Sequence, residues 1–91
     1  MLVNVMNTIL QIEDIETDLG GRILDDLKSK GWKVVSKYSP FAFDKGIDFD
    51  RYTLSKNGQK VEFEWDNWLE WKITGPEPVI KEIAREFSLT F

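Results

Sequence analysis

The sequence predicts a two-layer α+β sandwich. A four- or five-stranded, mostly antiparallel sheet ending in a three-stranded meander carries two helices on one face. Three observations point there: Asn57-Gly58 sits between two alternating apolar runs, two segments have helical apolar periodicity, and the central strands keep one wholly polar face. The 91 residues make one domain, 1–91, and four Trp, two Tyr and six Phe supply a core without metal or disulfide.

The first strand is expected within residues 2–12, where LVNVM alternates. Leu2, Val5, Met6 and Ile9 also fit one helical face, and a helical start would leave a four-stranded antiparallel sheet. Asp18 to Lys30 is predicted as the first helix, because Leu19, Ile23, Leu24 and Leu27 recur at helical spacing behind Thr17 or Asp18 as N-cap. Lys28 and Lys30 suit the negative end of its dipole, and Gly31 followed by Trp32 fits a Schellman ending. Gly20 and Gly21 each cost about 1 kcal/mol relative to alanine inside a helix. Tight packing of the first turn on the sheet accounts for them better than an anion site, since Asp14, Glu16 and Asp18 would repel an anion.

WKVVSKY, residues 32–38, is the next strand: β-branched, aromatic and bounded by Gly31 and Pro40. If the first strand lies beside it, the pair is parallel with a right-handed crossover. The connection PFAFDKGIDFD, 40–50, is long and carries Phe41, Phe43, Ile47 and Phe49.

The meander can be read by register. Asn57-Gly58 is a two-residue type I′ signal. Closing it with Lys56 opposite Gln59 pairs Leu54 with Val61 and Tyr52 with Phe63 on one face, Arg51 with Glu64 and Thr53 with Glu62 on the other, and Phe49 with Asp66 at the end. Around Asp66-Asn67, a two-residue loop would pair Trp65 with Trp68 but set Phe63 against Glu70 and Glu62 against Trp71. A one-residue slip flips every side chain, so that register is rejected. A loop over 66–68, or one over 65–69, keeps parity and sets Phe63 against Trp71, Val61 against Ile73 and Glu62 against Lys72. Trp65, Leu69 and Trp71 then join the core face, and Trp68 falls in the loop or on the outer face.

The last helix, Glu77 to Phe87, has an apolar stripe of Ile80, Ile83, Ala84 and Phe87, a Thr74/Glu77 capping box, and Pro76 and Pro78 in its first turn. The tail SLTF is read as a short strand or a frayed end.

Composition narrows the function. With no Cys and no His, thiol catalysis, a zinc-thiolate site and the commonest general base are excluded, and no cofactor is implied. A net charge of −4 with interspersed signs disfavours nucleic acid, whose binding rests on neutralised phosphates. MLVNVMNTIL lacks a basic n-region and is too short to span a bilayer, so no membrane partner is expected and a soluble, cytoplasmic protein is. Asp44, Asp48 and Asp50 around Gly46 outline a calcium loop but lack its spacing and its closing glutamate, so no metal is assigned. Glu62 with Glu64, or Glu64 with Glu70, would lie on the solvated face, so the protein is not expected to be an enzyme.

Two surfaces remain. In the first, Phe49 and Trp68 flank Asp66 as a docking patch for a protein partner, making the chain an interaction, accessory or regulatory module; the competing reading folds both rings over the sheet edge. In the second, Phe41, Phe43 and Ile47 line a pocket under the 40–50 loop for a small ligand or a substrate; the competing reading tucks Phe41 and Phe43 over the open end of the sheet. Homodimerisation through a strand edge or the SLTF tail is compatible with either.

Overall fold

The computed structural model describes residues 8–38 and 49–90, with Tyr38 and Phe49 described in their backbone only. The elements are β1 (Ile9–Ile15), α1 (Thr17–Ser29), β2 (Lys33–Tyr38), β3 (Phe49–Lys56), β4 (Gln59–Asp66), β5 (Glu70–Pro76) and α2 (Glu77–Phe87). They build the expected two-layer α+β fold, with five strands in the order β1-β5-β4-β3-β2 and both helices on one face. Every neighbouring pair is antiparallel.

The first strand, β1, overlaps the expected segment 2–12 only from Ile9 and runs on to Ile15, residues 2–7 lying outside the described residues, and it does not lie beside β2. It pairs with β5, Ile12 opposite Ile73, so no parallel pair forms among the described residues and α1 carries the chain from one edge of the sheet to the other. A bulge between Ile12 and Ile15, with Asp14 at φ 59°, turns both isoleucines inward although they stand three residues apart. Ile12 then meets the core cluster formed by Ile23, Leu54, Val61, Phe63, Ile73 and Ile80.

Helix α1 ends as the sequence predicts. The Trp32 N–H donates to Leu27 O and the Gly31 N–H to Lys28 O, Gly31 has φ 101°, and Trp32 and Leu27 are both buried. Its start differs: Glu16 occupies the N-cap position and no side chain of α1 caps it. Gly20 meets the sheet directly, and a Cβ there would overlap the Trp71 indole. Nothing crowds Gly21, and the structure does not explain it.

Helix α2 buries Ile80, Ile83 and Ala84. The Thr74/Glu77 capping box does not form, because β5 continues through Pro76 and Thr74 bonds Gln11 instead. The Glu77 N–H donates to Thr8 O, which ties the helix start to the residue before β1, and Pro78 occupies the first turn. After Ser88 at φ 57°, Leu89 donates to Ala84 O and packs against the core, so described residues 88–90 add no strand.

The β3–β4 register is as predicted at every pair, from Phe49 opposite Asp66 to Lys56 opposite Gln59. Asn57 (φ 51°) and Gly58 (φ 80°) both take the positive φ that a type I′ turn requires. The β4–β5 pairing keeps the predicted parity but is displaced by two residues. Phe63 faces Ile73, Glu64 faces Lys72 and Trp65 faces Trp71. Leu69 consequently leaves the core face and lies in the turn, 54% exposed.

Candidate functional site

The displaced turn, residues 67–69, owes its position to Asp66. Its Oδ1 accepts the N–H groups of Trp68 (2.8 Å) and Leu69 (2.7 Å), so the carboxylate closes the turn where a two-residue hairpin would use a glycine. The positive-φ position falls on Glu70 (φ 63°), which spares Trp68 a conformation that bulky residues avoid.

Below the turn, three side chains of the hairpin converge on Thr17, the first residue of α1. The Glu70 carboxylate accepts the Thr17 N–H at 3.0 Å, the Trp71 Nε1–H donates to Thr17 O at 3.0 Å, and the Trp65 Nε1–H donates to Thr17 Oγ1 at 3.0 Å. The carboxylate satisfies an orphan N–H at the positive end of the helix dipole, a task that α1 leaves to β5. Phe63 packs edge-on to Trp71, with ring centroids 5.9 Å apart, and Tyr52 tilts against it at 6.1 Å. Trp71 is buried, and Trp65 is half-buried at the rim. The base of the hairpin is therefore fixed to the rest of the fold.

The tip is different. Trp68 is 85% exposed and Leu69 stands beside it. Asp14, Trp68, Leu69 and Glu70 border one shallow depression; an adjoining one of about 70 Å³ is bordered by Glu13, Asp14, Glu64, Asp66, Leu69, Glu70 and Lys72. Lys72 is already paired with Glu64 at 3.3 Å, and Glu64 also holds Arg51 at 3.3 Å. An apolar pair thus stands among carboxylates on a turn with a defined backbone.

Of the residues singled out by sequence, Asp66 and Trp68 meet in this turn. The Phe49 backbone pairs with Asp66, while its side chain, Phe41 and Phe43, and with them any pocket under the 40–50 loop, lie outside the described residues, as do Asp44 and Asp48. Asp50 is in β3 opposite Trp65, and among the described residues no group of three or more acidic side chains is arranged to hold a metal ion. Leu69, Glu13 and Asp14 were not legible as part of this surface. The one local hint was the three-residue spacing of Ile12 and Ile15, which a flat strand cannot bury together.

At the opposite end of the sheet, a cleft of about 220 Å³ lies between the C-terminus of α1, α2 and the Asn57-Gly58 turn. Its lysines are committed: Lys30 bridges Asp26 (3.0 Å) and Glu86 (2.6 Å), and Lys56 donates to Lys30 O. The Glu86 carboxylate, with that of Asp26, holds the Lys30 ammonium above its ordinary pKa. This cleft links the two helices.

Compared with known proteins, the chain matches no family model, no curated protein and no solved structure.

Proposed function

We propose that the protein is a cytoplasmic interaction module, an accessory or regulatory protein without catalytic chemistry of its own, which docks a protein partner through Trp68 and Leu69. The observation that carries this reading is an 85% exposed tryptophan on a turn that two hydrogen bonds to Asp66 hold in shape. A turn whose backbone is already shaped has less freedom to lose on binding, and tryptophan is enriched among residues that dominate interface energy. The carboxylates considered for acid–base work support the same reading, since Glu64 is engaged by Arg51 and Lys72, and Glu70 by the Thr17 N–H.

A photo-crosslinking residue placed at position 68, with a second placed at Gln59 in the other turn, tests the proposal in lysate of the source cells. Position 68 is expected to capture a discrete protein that position 59 does not. An affinity pull-down with Trp68→Ala is expected to lose that protein at unchanged melting temperature. Equal capture from both positions, or retention by Trp68→Ala, would refute the docking role.

A further inference from the structure

We infer that the partner offers a cationic segment, placing an arginine or lysine against the Trp68 ring and the carboxylates beside it. This rests on the docking role proposed above and adds the chemistry of the occupant. Asp14 and Glu70 border the same depression as the indole, and Glu13 and Asp66 border the next one. The one lysine among these residues, Lys72, is paired with Glu64. Glu70 and Asp66 spend one oxygen each, Oε1 and Oδ1, on internal N–H groups.

An indole face beside carboxylates complements a guanidinium or ammonium group, which stacks on the ring while its N–H groups reach the acids. A phosphate-bearing partner or an anionic membrane would meet repulsion from the same carboxylates. Glu16 and Asp18 flank Thr17, on which the hairpin converges, and add negative charge near this end of the hairpin. This local field favours a basic segment. A second copy would bring acid against acid.

The test uses a labelled Gly-Ser peptide bearing four arginines, with an otherwise identical glutamate peptide as control, read by fluorescence anisotropy. The arginine peptide is expected to bind, to weaken at least fivefold with Trp68→Ala, and to weaken as much with Glu13→Gln/Asp14→Asn, in which asparagine tolerates the positive φ of Asp14. Raising the salt should weaken it further, whereas Gln59→Ala should not. Equal binding of the glutamate peptide, or indifference to the neutralised acids, would overturn the inference. Sedimentation showing self-association that Trp68→Ala abolishes would also overturn it, by naming a second copy as occupant. The crosslinked partner separates the two readings: if Trp68→Ala loses it and Glu13→Gln/Asp14→Asn keeps it, docking stands and the cationic occupant falls.

Discussion

The two turns that bound β4 do the same topological work with different materials. At one end Asn57 and Gly58 reverse the chain with small residues whose positive φ angles are the whole requirement. At the other, Asp66 and Glu70 meet that requirement through a side-chain bridge and a positive φ, and Trp68 and Leu69 then stand on the closed turn as large apolar groups in solvent. The first turn shows what the hairpin needs. What the second adds beyond it, an indole and an isobutyl group at the tip, is what the fold does not ask for. Within the second turn the same contrast recurs over a few residues: Trp71 and Trp65 clamp Thr17, while Trp68 touches none of these groups.

That contrast can be broken from the base upward. Trp71→Ala removes the ring that seats Phe63, Tyr52 and the first turn of α1, and is expected to cost about 3–5 kcal/mol in urea unfolding. Gly20→Ala forces a methyl into the same ring; the overlap should outweigh the gain in helix propensity and destabilise by about 1–3 kcal/mol. Asp66→Ala frees the N–H groups of Trp68 and Leu69, with an expected loss of about 1–2 kcal/mol and faster amide exchange at both positions. At the far end, Lys30→Met should cost only about 0.5 kcal/mol, because the bridge is exposed. The Lys30 pKa is raised in the fold above 10.5, so its contribution is complete below that pH and fades as pH climbs through the raised value. Melting curves of wild type and Lys30→Met should accordingly differ at neutral pH and converge in strong alkali.

Much of the meander was legible because Asn57-Gly58 admits one turn type, and one turn type sets every pair of β3 with β4. Parity of the β4–β5 pair was legible from the alternation of glutamates with aromatic residues, since only one phase buries Phe63 and Trp71 together. The two-residue displacement was not, because the turn is positioned by a carboxylate bridge and by Glu70 reaching Thr17, and neither leaves a turn-type signature in the chain. The edge taken by β1 was equally hidden: helix α1 is long enough to cross the sheet, and the pairing of Ile12 with Ile73 is a non-local choice. Trp68 could be found by elimination, as the one tryptophan of the segment that the accepted parity does not place inward. The acids that join it from β1 depended on the hidden edge.

The most direct measurement is equilibrium urea unfolding of Trp68→Ala beside wild type. A residue held out for a partner should leave stability within about 0.5 kcal/mol of wild type, with an unchanged denaturant slope. A loss of about 3–5 kcal/mol, the scale of a buried tryptophan, would place Trp68 among the structural rings and contradict the account.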